Sequence, residues 1–225
     1  MRQARLRTLA TALIAAVLMG AAIGVAALDL DSILARSGYS ATEKEAIQSI
    51  LSQADQQKVP RDLLLPRLAE GVAKGARFQL TLDVLSSSLR SLERARTLLE
   101  SSPEGRNLLA DPAAWSITAT LLETGAKEQE IQMLEDAAQG NSAVYRKAGF
   151  LHASLTSWGL SRQASLNVAL TALRSKLPPD QYLGVVDVFE EGRQKRISPD
   201  HLADRVTQAL SEAKDLDDLR RAVLY

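Results

Sequence analysis

The 225-residue chain contains no cysteine. Disulfides therefore contribute nothing to its stability, and thiolate nucleophiles, iron–sulfur clusters and sulfur-ligated zinc are excluded. Aromatic residues make up 4% of the chain, while Leu and Ala dominate. That balance favours helix over sheet, because strands are enriched in aromatic and β-branched residues. Formal net charge is zero. The three arginines of residues 1–27 have no acidic counterpart there, so residues 28–225 carry about −3. A nucleic-acid binder needs a concentrated basic surface to displace counterions, and none is present.

Motifs for catalysis are equally scarce. There are two histidines, His152 and His201, with no second histidine at a metal-ligand spacing and no HExxH. His152 lies among Phe150, Leu151, Leu155 and Trp158, as a packed core histidine does; His201 follows Ser198-Pro199 in a helix's first turn. Neither GxxxxGK[ST], GxGxxG before a helix, nor GxSxG occurs. No cofactor and no metal site is expected. Exported helical enzymes that cleave glycan can work with one raised-pKa carboxyl. Glu123, in Leu-Leu-Glu-Thr-Gly at the end of an apolar stretch, is the weak catalytic candidate, set against an ordinary solvated glutamate.

What the chain does have begins at its start. Arg2, Arg5 and Arg7 precede an apolar run, Leu9–Leu28, broken by Thr11; Val25-Ala26-Ala27 supplies small residues for a signal peptidase, and Asp29 follows. This is the layout of an export signal over residues 1–27. The rival reading is an uncleaved anchor, since 20 helical residues at about 1.5 Å each span a hydrocarbon core. Gly20 and Gly24 weigh toward cleavage by loosening the helix. Both readings place residues 28–225 beyond the cytoplasm, in the periplasm or cell envelope. A membrane is expected to be involved only through residues 1–27.

Residues 28–225 read as an all-α domain of about nine to ten short helices, with a subdomain break near 101–111. Ser40 with Glu43 forms a capping box opening a helix to about Gln57. Pro66 either kinks the next helix or opens it after a separate turn at Pro60–Leu65. Phe78, Leu82, Leu85, Leu89, Leu92 and Leu99 step by four and three, with Arg96 at the intervening position. Further helices are expected from Asp111-Pro112 to about Thr124, then at about Glu128–Ala138, Ala143–Trp158, Ser161–Lys176, Pro179–Arg193, Pro199–Ala213 and Leu216–Val223.

Lys58-Val59-Pro60-Arg61-Asp62 echoes in Lys176-Leu177-Pro178-Pro179-Asp180, and less closely in Arg196-Ile197-Ser198-Pro199-Asp200. A basic residue ends a helix, an aliphatic residue follows, and a capped start carries an acid in its first turn. The helices are expected as stacked hairpins, a degenerate helical repeat, or an irregular bundle. The functional expectation is a non-catalytic interaction module, scaffold or adaptor with an envelope protein partner. Trp115 and Trp158 are candidate partner contacts because tryptophan is enriched at interface hot spots, although both suit a core. Leu219, Val223 and Tyr225, on a short amphipathic C-terminal helix, either dock on the body or enter a partner's groove.

Overall fold

The helix-favouring composition produces helix throughout. The computed structural model describes residues 29–225, and among these it has twelve α-helices, two 3-10 turns and no strand. The segment read as a signal or anchor lies outside the described residues. Among the described residues no helix is long and apolar enough to cross a membrane. The chain divides into two compact units, one up to Thr97 and one over Leu98–Tyr225. The boundary falls inside a helix, a few residues before the Ser101–Asp111 stretch.

The first unit contains α1 (Leu30–Arg36), α2 (Ala41–Gln56), α3 (Leu65–Ala73) and most of α4 (Phe78–Ser101). The capping box forms as its residue types require: Ser40 Oγ accepts from Glu43 N and Glu43 Oε2 accepts from Ser40 N at 2.8 Å. Arg61–Leu63 is a separate 3-10 turn, and Pro66 sits in the first turn of α3, where its missing N–H costs nothing. Along α4 the buried apolar positions are Leu85, Leu89, Leu92, Ala95 and Leu99, with Thr81 and Ser88 buried beside them. Ala95 thus takes the core step, and neighbouring Arg96 reaches back to cap the end of α2, Nη1 to Gln57 O at 2.7 Å. Tyr39 closes the other side, donating to Ala76 O at 3.2 Å and stacking edge-on against Phe78.

The second unit contains α5 (Pro103–Leu108), α6 (Pro112–Glu123), α7 (Glu128–Ala138), α8 (Ser142–Trp158), α9 (Arg162–Arg174), α10 (Gly184–Gln194), α11 (Pro199–Leu210) and α12 (Leu216–Leu224). Side chains of Ser102, Asp111, Asn141, Ser161, Ser198 and Asp215 cap helix starts. Helix α8 is central, packing on α6, α7 and α9. Gly149 permits the approach to α6: a Cβ there would lie 3.1 Å from Ile117 Cγ1. The two helices beyond the sequence expectation, α1 and α5, have seven and six residues. Neither is long enough to display a periodicity.

One layout occurs in both units. Gly38 and Gly159, at φ 67° and 114°, precede the caps Ser40 and Ser161 of α2 and α9. After each of those helices comes a buried aliphatic residue, Val59 or Leu177, then a 3-10 turn, Arg61–Leu63 or Pro179–Gln181. Next come α3 and α10, each ending in a left-handed residue, Gly75 or Arg196, both at φ 61°. Then α4 and α11 begin. Gly71 and Gly192 occupy matching places on the shorter helices, where a Cβ would press on Thr81 and Leu202, the fourth residue of the following helix. Gly38/Gly159, Ser40/Ser161, Gly71/Gly192, Gly75/Arg196 and Thr81/Leu202 share one spacing. Helix α9 has 13 residues against 16 in α2, and extra residues before Val185 restore the register.

Candidate functional site

The C-terminal end of α10 gathers most of the chemically distinctive side chains. Phe189 is fully buried and meets the Trp158 ring edge-on, centroids 5.4 Å apart. Trp158, the last residue of α8, is half-buried, and its indole Nε1 donates to Glu190 Oε2 at 3.1 Å. One turn on, Arg193 lies over the same ring, 5.8 Å from its centroid, and pairs with Glu190 Oε1 at 2.6 Å. The indole N–H, then the Arg193 guanidinium, hold the Glu190 carboxyl below the ordinary carboxylate range. The side chain of Arg193 is 62% exposed.

Lys195, just past the end of α10, makes a second cation–aromatic pair. Its Nζ stands 3.5 Å from the centroid of the Tyr225 ring and donates to Leu224 O at 3.3 Å. Tyr225 is 90% exposed. Between the two pairs, Glu191 accepts from Arg220 Nε at 3.0 Å. One helix end therefore holds Trp158 and Tyr225, each with a cation on its face. A cation on an aromatic face is worth about 0.5–1 kcal/mol at exposed sites. Glu190-Glu191-Gly192-Arg193-Gln194-Lys195-Arg196 reads in sequence as a helix end matching its own dipole; the aromatic partners come from distant positions and leave no local signal.

The other sequence candidates fall elsewhere. Trp115 is 7% exposed, and its Nε1 caps the end of α5 through Leu109 O at 3.1 Å. Leu219 and Val223 are fully buried on the inner face of α12, which packs on α10 and α11. They belong to the core of this unit. Glu123 is the last residue of α6 and is exposed.

Glu130 and Glu135 are buried carboxylates that sequence reading missed, while His152 is buried as its apolar neighbours imply. Glu135 is fully buried; Oε2 accepts from Ser102 Oγ at 2.7 Å, and Ser102 Oγ accepts from Gly105 N at 2.8 Å. Burial pushes its pKa up against the opposing effect of the Ser102 bond. Glu130, 8% exposed, caps Lys127 N at 2.8 Å and pairs with Arg162 Nε at 3.0 Å. His152 is 1% exposed. Glu135 does carry a trace in the sequence: it falls beside Leu134 on the face set by Ile131 and Ala138.

A shallow groove of about 250 Å³ lies between α11 and α12, lined by Arg205, Gln208, Ala209, Glu212 and Ala222. Among the described residues no group of three or more His, Asp or Glu is arranged to hold a metal ion. The chain matches no protein-family model, and no curated protein or solved structure matches it.

Proposed function

We propose that this chain is an exported, non-catalytic helical module of the cell envelope that acts as a scaffold or adaptor. The observation that carries the reading is the end of α10. Trp158 and Tyr225 are held there with Arg193 and Lys195 on their faces, so aromatic and guanidinium groups of the types enriched in binding hot spots are oriented before any partner arrives. Export rests on Arg2, Arg5, Arg7, the apolar run and Val25-Ala26-Ala27.

The layout shared by the stretches from Gly38 to Thr81 and from Gly159 to Leu202 supports a degenerate helical repeat. Repeat units of paired helices bury one face against neighbours and leave extended surfaces for other proteins. The partner is an envelope protein that contacts the α10 end.

The test replaces Tyr225 with a photo-crosslinking phenylalanine analogue in the source cells, with Leu80, 58% exposed in the first unit, as the control position. A single envelope protein joined from position 225 and not from position 80 is the expected result, together with an intact mass beginning near residue 28. No cross-link from position 225, or the same products from both positions, refutes the adaptor reading. An intact mass that retains Met1–Ala27 refutes processing.

A further inference from the structure

The layout common to the two units separates the side chains at the end of α10 that the fold requires from those it does not. The spacing that matches Gly71 with Gly192 also matches Leu68 with Phe189, and both of these are fully buried. The same spacing sets Ser37, Ala69 and Val72 against Trp158, Glu190 and Arg193. The first unit thus builds the layout with none of the three side chains that meet beside Phe189 in the second. The path of the backbone does not account for their presence.

The charges differ as well. In α3, Glu70 and Lys74 neutralise each other, Nζ to Oε1 at 2.5 Å. Their counterparts go elsewhere: Glu191 to Arg220 of α12, and Lys195 to the face of the Tyr225 ring. Glu190 is taken by Trp158 and Arg193. Arg196 stands where the first unit has Gly75, at the same left-handed φ of 61°, a backbone that a residue with a Cβ adopts at a cost. Both Lys195 and Arg196 are exposed, and neither has a carboxylate partner among the described residues.

Building on the adaptor reading, we propose that the end of α10 docks an acidic segment of the partner protein, with carboxylates against Lys195 and Arg196 and an apolar side chain against Tyr225. Two cations without carboxylates stand beside an aromatic ring that is 90% exposed, and charge complementarity matches them to an anionic segment. Residues 28–225 as a whole carry net negative charge. A membrane surface or a nucleic acid extends far past this patch and is repelled by the rest of the chain. A short acidic segment meets the patch alone.

Arg196 isolates the charge from the fold. Its side chain makes no hydrogen bond or ion pair with other described residues, so replacing it leaves the Lys195–Tyr225 and Arg193–Trp158 pairs in place. Arg196→Lys keeps the cation, and Arg196→Glu sets a like charge against the partner's carboxylates. Both retain a Cβ and hence the same backbone demand. Exchanging attraction for repulsion at this position is expected to lower the amount of complex about 10-fold.

The full chain, with the photo-crosslinking phenylalanine analogue at position 225, is irradiated in the source cells, and the joined peptide of the partner is mapped by mass spectrometry. The mapping needs no charge variant; for Arg196→Glu, denaturant unfolding followed by tryptophan fluorescence checks that the chain is folded. The cross-link is expected in a stretch of the partner with an excess of Asp and Glu. Its yield should fall about 10-fold in Arg196→Glu and stay within about 2-fold in Arg196→Lys. A cross-link in a neutral or basic stretch, or a yield unchanged by Arg196→Glu, overturns the acidic contact and leaves the adaptor reading standing. A product joined to lipid or to a second copy of this chain overturns the acidic contact as well. No cross-link from position 225 removes the adaptor reading and this contact together.

Discussion

The contact between α6 and α8 contains a hydroxyl pair whose two halves should respond unequally to mutation. Thr118 Oγ1 donates to Ala114 O at 2.9 Å, so its single proton is committed within α6. The 2.7 Å bond between Thr118 Oγ1 and Tyr145 Oη must then use the tyrosine proton. Both residues are fully buried, and burial pushes the Tyr145 pKa up, keeping the phenol a neutral donor. Thr118→Val removes the acceptor and strands a buried O–H, a cost of about 2 kcal/mol within the usual range of about 1–3. Tyr145→Phe leaves Thr118 bonded to Ala114 and loses one net hydrogen bond, about 1 kcal/mol. With both substitutions no donor is stranded, so the double variant should cost about 1 kcal/mol, well short of the additive sum of about 3. Denaturant unfolding followed by tryptophan fluorescence isolates this unit, because Trp115 and Trp158 are the chain's two tryptophans and both lie in Leu98–Tyr225. An additive double variant, or Tyr145→Phe costing more than Thr118→Val, would refute the assigned direction of the bond.

The same assay serves five further perturbations. Gly105→Ala should cost about 3 kcal/mol, because its Cβ would meet backbone at Leu99 O and Cα as well as Ser102 Oγ, none of which can rotate aside without breaking the α5 cap. Gly159→Ala has open space around its Cβ, so only the left-handed backbone opposes it, at about 1 kcal/mol; equal losses would contradict the steric argument. Glu135→Gln should become more favourable relative to wild type as pH rises: a raised folded pKa gives stability that is present below the unfolded carboxyl pKa and lost as pH climbs through the folded one. A stability difference that is flat from pH 4 to pH 8 would exclude a buried ionising Glu135. Leu219→Ala should cost about 3 kcal/mol as a core truncation, while deletion of Tyr225 should stay within about 0.5 kcal/mol; comparable effects would mean that the tail is held by its last residue.

Elements whose determinants are local were readable without coordinates. The Ser40–Glu43 box and the bounds of Glu128–Ala138 are set by residues three or four apart, and the structure places them where the spacing implies. The α4 register was legible from Leu85 to Leu99 except where Ala95 enters the core and the longer Arg96 turns to the Gln57 carbonyl, whereas in the first turn Thr81 and not Leu82 is buried. What stayed hidden is long-range pairing of polar groups. Glu135 finds Ser102 at a separation of 33 residues, and Arg162 finds Glu130 at 32. A pattern of apolar residues locates a helix face, but it does not say which carboxylate on that face will meet a partner from another helix. The pairing of Trp158 with Glu190 and Arg193 was out of reach for the same reason.

The sequence echo, by contrast, was legible for a reason other than the one it suggested. Lys58 and Arg196 share a left-handed backbone at φ 56° and 61°, and each precedes an amide, Val59 N or Ile197 N, that closes back onto its helix at Ala54 O or Gly192 O. Lys176 has no such geometry; its stretch resembles the first one through Leu177, Pro178 and the 3-10 turn that follows. The three echoes therefore combine two different helix-ending devices, and basic residues followed by aliphatic ones occur in both. The correspondence between the two units lies instead at Gly38 and Gly159, at the caps Ser40 and Ser161, and at the close crossings of Gly71 on Thr81 and Gly192 on Leu202. Those positions are fixed by what the backbone needs: a left-handed turn, a side-chain oxygen at a helix start, and room for a neighbour where a Cβ would intrude. Residues that share a geometric task can differ in identity, as Gly75 and Arg196 do at the same φ.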